Sequence, residues 1–342
     1  MSGRYIYWIE ELRKEQKDLA GNKCANLGEM AGLGLPVPAG FAFSVEAYTT
    51  FLNESGADDE IKKYLKEQGS SINDTIKQGE ISKHLRRIVQ SAAVPNEIEK
   101  AIADYYEELR RKCNSQEIAV SVRSSGPVSH PGQYETLLNI SGISDLIESV
   151  KKVWASTFNP RSLAFRIQKG LPLESDPIGI AVLKMVDAKA AGIIFTADPN
   201  TGDTTRMIIE ANWGLGESVV SGQSTPDIFT LDKNTLELIE KKLGPKSRYT
   251  ASGKAGITEV EASPGKSSVF CISDKEAREI AELGKTLEEH YGAPQDIEWA
   301  VTQDAVPGNN IVLLQTRNEV IAQEKSSSDQ IIDLMLDRFS GR

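Results

Sequence analysis

The chain has 342 residues, enough for more than one hydrophobic core, with 39% hydrophobic and 26% charged residues and a formal net charge of −10. That acidic balance argues against a nucleic-acid backbone or an anionic membrane surface as the main partner. The three cysteines, Cys24, Cys113 and Cys271, are far apart and odd in number, which supports neither a disulfide framework nor a zinc site and fits a reducing, cytoplasmic setting. Glu10 and Glu11 interrupt any N-terminal apolar stretch, so no signal peptide is expected. No apolar run reaches the ~18 residues of a membrane span.

Residues 5–9, Tyr-Ile-Tyr-Trp-Ile, read as a first strand. From Gly21 to Gly40 the pattern predicts a Gly-anchored turn, a short helix from about Ala25 and an extended exit broken by Pro36 and Pro38. Residues 45–113 read as mostly helical, with Ile98, Ile102, Tyr105 and Leu109 on one face. The β-branched run Ile118–Val122 predicts a strand that delivers Arg123 at its end, followed by a loop rich in hydroxyls, Gly and Pro that closes on Thr136. Helices are expected near Asp145–Thr157 and Arg161–Lys169. The texture then changes at about residue 178. Strands are expected at Ile178–Val186, Gly192–Thr196, Met207–Ala211, Asp227–Leu231 and Leu236–Glu240, separated by turn signals such as Asp198-Pro199-Asn200. Ser273 with Glu276 three residues later is a capping-box signature, and Ile280, Leu283 and Leu287 follow at helical spacing. Two strands, Ile297–Val301 and Asn310–Gln315, precede a polar tail with a terminal amphipathic helix at Ile331–Phe339. The expected organisation is α+β. A helix-rich lobe spans 1–180, a strand-rich lobe 181–322 and a tail 323–342, with a ligand cleft between the lobes as the default site.

Several segments carry candidate chemistry. Arg123 is a permanent cation with a planar fork of donors. Gly126 and Gly132 permit close backbone approach, Ser124, Ser125 and Thr136 supply hydroxyls, and exposed amides in such a loop form an anion-binding concavity. The segment is therefore a candidate polyphosphate loop. Lys23, beside the Gly21 turn, is placed to reach a phosphate as a point charge. Alternation puts Asp296 with Glu298 on one strand face and Gln315 with Arg317 on another. Oxygen donors and a guanidinium so arranged suit Mg²⁺ with a polyphosphate, because Mg²⁺ takes one or two carboxylates plus substrate phosphates. Glu210–Glu217 reads as a strand ending in a Gly-rich turn. Lys184-Met185-Val186 ends a strand at the lobe junction, where backbone groups are suited to an adenine edge. Among the histidines, His84 and His290 fall in polar helices, and His130 lies in the phosphate-loop candidate. No HExxH, GxSxG or Walker GxxxxGK[ST] pattern is present.

Together these segments resemble the nucleotide-binding N-terminal domain of the phosphoenolpyruvate synthase and pyruvate phosphate dikinase family, which also includes rifampicin phosphotransferase and the split phenylphosphate synthase. The resemblance runs from about residue 20 to 320. It rests on Gly21-Asn22-Lys23-Cys24-Ala25-Asn26-Leu27, Gly34-Leu35-Pro36-Val37-Pro38-Ala39-Gly40-Phe41, Ser121-Val122-Arg123-Ser124, Gly192-Ile193-Ile194-Phe195-Thr196, Gly214-Leu215-Gly216-Glu217, Pro226-Asp227, and Asp296-Ile297-Glu298-Trp299 with Gln315-Thr316-Arg317. It implies the ATP-grasp fold, with ATP held between two α+β lobes. It further implies that Lys23 and Arg123 hold phosphates and that Gly132, Gln133, Tyr134, Glu135 and Thr136 form the loop over the triphosphate. Lys184, Met185 and Val186 would border the adenine, Glu217 would belong to the nucleotide site, Glu298 and Gln315 would bind Mg²⁺, and Arg317 would assist the phosphates, with Asp296 behind the metal.

Family members carry phosphate on a swivelling histidine domain, and none of the three histidines here has that context. The resemblance therefore implies a phosphohistidine-bearing partner, either another domain or a separate subunit. The expected activity is a dikinase-type ATP-dependent phosphotransfer. The split arrangement makes phenol, as in phenylphosphate synthase, the leading acceptor, and a pyruvate-directed synthase the alternative. A non-catalytic adenylate-sensing subunit is the alternative of another class.

Overall fold

The computed structural model describes residues 4–126, 134–220, 222, 224–253, 256–303 and 310–319. The chain divides into two units, residues 1–186 with 252–257, and residues 187–251 with 258–342.

The first unit opens with β1 (Ile6–Trp8), α1 (Lys17–Gly32) and β2 (Gly40–Phe43). Helices α2 (Val45–Glu54), α3 (Ala57–Gln68), α4 (Thr75–Ser91) and α5 (Asn96–Lys112) follow. Then come β3 (Ala119–Ser125), β4 (Thr136–Ser141), α6 (Ile143–Ala155), α7 (Pro160–Lys169) and β5 (Gly179–Lys184). The five strands form an antiparallel sheet in the order β1-β2-β5-β3-β4. Val120, Val122, Ile180, Val182, Phe41 and Phe43 are buried from this sheet into one core with Tyr48, Phe51, Leu85, Trp154 and Phe158 of the helical layer. Phe51 stacks on Trp154 with ring centroids 4.9 Å apart, an arrangement that adds to simple area burial.

Local signals explain several boundaries. Ser44 caps α2 by accepting from the Ala47 amide. Asn159 caps α7, Pro160 occupies its first turn and Gly170 ends it in the left-handed conformation. On α5 the buried face is Ile98, Ile102, Tyr106 and Leu109. This corrects the assignment of Tyr105, which instead lies at the margin against Trp8 at 4.8 Å and accepts a hydrogen bond from Arg4. Both tyrosines fit helical spacing, and only the neighbouring elements choose between them. The helix expected from Ala25 begins earlier, at Lys17, and breaks at Gly21. Strands β2 and β4 were not expected from sequence, being short and flanked by Gly- and Pro-rich segments.

The second unit holds β6 (Ala188–Phe195), β7 (Arg206–Trp213), α8 (Glu217–Val220), β8 (Asp227–Asp232), β9 (Leu238–Lys242), α9 (Pro264–Ser267), α10 (Asp274–Tyr291), β12 (Gln295–Thr302) and β13 (Ile311–Asn318). Strands β10 (Arg248–Gly253) and β11 (Gly256–Glu261) pair separately, in a segment that sequence left unassigned. The six-stranded antiparallel sheet has the order β13-β12-β6-β7-β8-β9. The Ser273–Glu276 capping box opens α10, and Gly292 closes it in the left-handed conformation. Gly284 of α10 packs against Ile194, Thr196 and Ile297, so α10 covers that face of the sheet. The residues alternating with these, including Ile193, Glu298 and Asp296, point to the other face. The tail from 323 to 342, with its expected terminal helix, lies outside the described residues.

Candidate functional site

In the first unit the site is built at the end of β3. Arg123 sits in register between Thr136 of β4 and Ala181 of β5, and Ser125 lies opposite Gly179. The start of α1 is fastened to this strand end. Gly21 adopts φ 79 and ψ 163, and a β-carbon there would lie 1.8 Å from the Ser125 carbonyl oxygen. Only glycine meets both conditions. Beyond the break, the Asn22 amide donates to the Gly126 carbonyl at 2.8 Å and the Cys24 amide donates to Ser125 Oγ at 3.0 Å. Two amides of the opening helical turn, which have no partner within a helix, are thus satisfied by the strand that carries Arg123. From the other side, a β-carbon on Gly179 would lie 2.2 Å from the Ala20 carbonyl oxygen. Burial pushes the Cys24 thiol up to about 11, against the opposing pull of the Ser125 hydrogen bond and the positive charges of Lys23 and Arg123. Both cations are therefore within electrostatic reach of one thiol at the junction.

The loop that follows returns on residues with partners of their own. The Tyr134 hydroxyl donates to Asp176, the Glu135 amide donates to Ser156 Oγ at 3.1 Å, and the Glu135 carboxylate accepts from Arg86 at 2.6 Å. Burial and the Asp176 carboxylate raise the Tyr134 pKa, so its proton stays on as donor. Gly132, Gln133 and His130 lie outside the described residues. At the far end of β5, the Lys184 amide donates to the Ala39 carbonyl and the Met185 amide to the Ala119 carbonyl, both at 2.8 Å. These two amides belong to the sheet ladder. Lys184 is exposed, and Met185 and Val186 are half-buried.

In the second unit the decisive geometry is a register. Asp296 stands directly opposite Arg317, and Glu298 directly opposite Gln315. Paired residues share a face with β-carbons about 5 Å apart, so the alternation expected on each strand converges on one patch. Arg317 donates to Asp296 Oδ2 from Nε at 2.8 Å, and its terminal nitrogen forms an ion pair with the same oxygen at 2.6 Å, a charge-assisted contact that holds the guanidinium in place. The same face extends across β6, where Ile193 lies opposite both Glu298 and Glu210 of β7. Burial raises the Glu210 pKa, and the Asp296 charge adds to the rise. For Asp296, burial raises the pKa while Arg317 opposes and Glu298 reinforces. Sequence reading placed Glu210 at a strand end and gave it no part in this patch. Only the pairing register brings it there, since it is more than eighty positions from Glu298.

Glu217 is the exposed first residue of α8. Its turn is held from behind by the buried Asn212, whose amide donates to Ser218 Oγ at 3.1 Å and to the Arg248 carbonyl at 2.9 Å. No group of three or more His, Cys, Asp or Glu side chains suited to a metal occurs among the described residues. Glu298 and Gln315 nonetheless offer two oxygens on adjacent strands. That donor set is too small for an all-protein cage and fits Mg²⁺, which keeps waters and substrate oxygens in its shell.

The domain family described as "Pyruvate phosphate dikinase, AMP/ATP-binding domain" matches residues 17–337. The chain belongs to this family. Its α+β architecture is that of the family's ATP-grasp domain, and it is an ATP-binding domain of the phosphoenolpyruvate synthase and pyruvate phosphate dikinase type. It is 37% identical to a probable phosphoenolpyruvate synthase of Methanocaldococcus jannaschii over 87% of this chain and 26% of that protein. Identity is 35% to a protein of the same description from Staphylothermus marinus, over 93% of this chain and 41% of the relative. It is 31% to the phosphoenolpyruvate synthase of Pyrococcus furiosus, over 96% of this chain and 45% of the relative. The chain thus spans between a quarter and just under half of the length of these relatives. No helix among the described residues is long and apolar enough to cross a membrane.

Proposed function

We propose that this chain binds Mg²⁺–ATP, that a histidine carried on another domain or subunit attacks the β-phosphorus and expels AMP, and that water then releases the γ-phosphate as inorganic phosphate, leaving the β-phosphoryl group on the histidine for final transfer to pyruvate. The observation that carries the reading is the cross-strand register of Asp296 with Arg317 and Glu298 with Gln315. It puts a Glu and a Gln side chain on the same face as a guanidinium paired with its own carboxylate, which supports Glu298 and Gln315 as the metal ligands. The named relatives are phosphoenolpyruvate synthases, which favours pyruvate over the phenol expected from the split arrangement.

In this reading Lys23 and Arg123 hold the phosphates and neutralise charge on the transferring group, the main contribution a protein makes to phosphoryl transfer. Arg317, oriented by Asp296, does the same from the second unit. Residues 132–136 cover the triphosphate. Because Tyr134 and Glu135 are engaged with Asp176, Ser156 and Arg86, they anchor the described end of the loop. Lys184, Met185 and Val186 border the adenine, and Glu217 lies in the nucleotide site. Glu298 and Gln315 would hold the Mg²⁺, which would supply positive charge to offset that of the polyphosphate.

Titration calorimetry tests the reading. ATP should bind this chain at least tenfold more tightly with Mg²⁺ than with chelator present, a difference of about 1.4 kcal/mol. Glu298→Ala should abolish that difference. Equal affinity with and without Mg²⁺ would remove Glu298 and Gln315 from the metal site. AMP should form from ATP only when a histidine-bearing domain is supplied.

A further inference from the structure

We propose that Ser125 is the positioning residue that sets Lys23 relative to Arg123, so that two cations from different elements meet one polyphosphate. This rests on the assignment of Lys23 and Arg123 to the phosphates. Neither cation gains its place from its own neighbours in sequence. Arg123 is placed by the ladder of β3 with β4 and β5. Lys23 stands two residues after the break at Gly21, on a turn whose direction α1 alone does not determine.

Ser125 and its neighbour supply what the turn lacks. The Ser125 hydroxyl accepts the Cys24 amide at 3.0 Å in a fully buried contact, and the Gly126 carbonyl accepts the Asn22 amide at 2.8 Å. Lys23 is therefore clamped on both sides in the chain. The Ser125 carbonyl stands where a Gly21 side chain would begin, and Gly179, directly across from Ser125, leaves room for the Ala20 carbonyl. The turn has no slack in which to slide along the strand end. With a helical rise of ~1.5 Å per residue, a slip of one position would displace Lys23 by more than a charge-assisted contact to phosphate tolerates.

The contact also joins the two residues by chain position alone. Arg123 and Ser125 are two apart on β3, so any movement of the strand end carries both, and the amide clamp carries Lys23 with them. A positioning role of this kind predicts coupling, which a general stabilising role does not.

The test is a double-mutant cycle on nucleotide affinity, using Ser125→Ala, Lys23→Met and their combination in this chain, read by calorimetry with Mg²⁺–ATP and with adenosine. Ser125→Ala should weaken ATP about tenfold and leave adenosine unchanged, while the same substitution in the Lys23→Met background should cost less than about twofold. Equal losses in both backgrounds would overturn the positioning role, since Ser125 would then act independently of Lys23. An unchanged ATP affinity in Ser125→Ala would overturn it too. Gly21→Ala strains the same junction from the helix side and keeps the hydroxyl. It should reproduce the selective loss for ATP, and wild-type ATP affinity in a folded Gly21→Ala would count against the clamp. If the unsubstituted chain binds no Mg²⁺–ATP, the proposed function itself falls and this inference with it. Binding by the parent with an additive cycle sinks this inference alone.

Discussion

Arg123 shows how much a single side chain depends on its strand. It is half-buried, in register with Thr136 and Ala181, and its guanidinium offers parallel donors that a lysine ammonium does not. Arg123→Lys should therefore fold and retain part of its ATP affinity yet lose most phosphoryl transfer. A forked, charge-assisted contact made in the transition state is worth about 2–4 kcal/mol, or roughly 30- to 1000-fold in rate. The measurement is transfer to the histidine-bearing domain at saturating Mg²⁺–ATP. A rate within about twofold of wild type would show that the fork plays no part. Arg123, Lys23, Glu298, Gln315 and Arg317 were singled out as candidates from the sequence because each sits in a motif of unusual residue types. Glu210 and Ser125 were legible only as residue types. Their roles depend on what stands opposite them, and pairing register is not written in local sequence.

At the scale of elements, the caps were readable and the cross-links were not. Ser273 with Glu276 marked a helix start by chemistry that acts within a few residues. The polar stretch before β10 gave no such sign, yet it holds a wholly buried ion pair, Lys246 with Asp227. Asp227 opens β8 and accepts from the Gly244 amide at 2.9 Å, from Lys246 and from the Cys271 amide at 2.9 Å. One carboxylate thus ties together the start of β8, the segment after β9 and the approach to α10. Lys246→Met would leave that carboxylate buried without its cation. It should cost about 3–5 kcal/mol in urea unfolding, since breaking one side of a buried pair strands the other. A loss below about 1 kcal/mol would mean that water reaches Asp227 in the variant.

At the scale of the whole molecule, the change of texture at about residue 178 led to an expected helix-rich lobe and strand-rich lobe, and the structure divides the chain into residues 1–186 with 252–257 and residues 187–251 with 258–342. The acidic balance has a consequence for stability in the second unit. Glu319 is pushed up to about 7 from an ordinary 4.5, chiefly by burial, with the Asp296 charge adding and the Ala197 amide opposing. A carboxyl whose folded pKa is raised holds its proton longer in the folded state than in the unfolded one. Its stabilising share is therefore complete below about pH 4.5 and is lost as pH rises through about 7. Glu319→Gln mimics the neutral acid at every pH. The melting temperature of the variant should gain on that of the parent across this window, and parallel melting curves from pH 4 to pH 8 would show that Glu319 ionises freely when folded.

The seam where Ala20 and Gly21 meet Ser125 and Gly179 also bears on how such a chain can change over generations. Two of its positions carry no side chain, and each would thrust a first carbon into a carbonyl oxygen of the facing element. A single substitution at either strains the seam whatever its chemistry, because helix start or strand end must shift to admit it. Drift at this point has to proceed by paired changes that move helix start and strand end together. The seam beside Lys23 and Arg123 thus leaves little room for side chains at two of its positions.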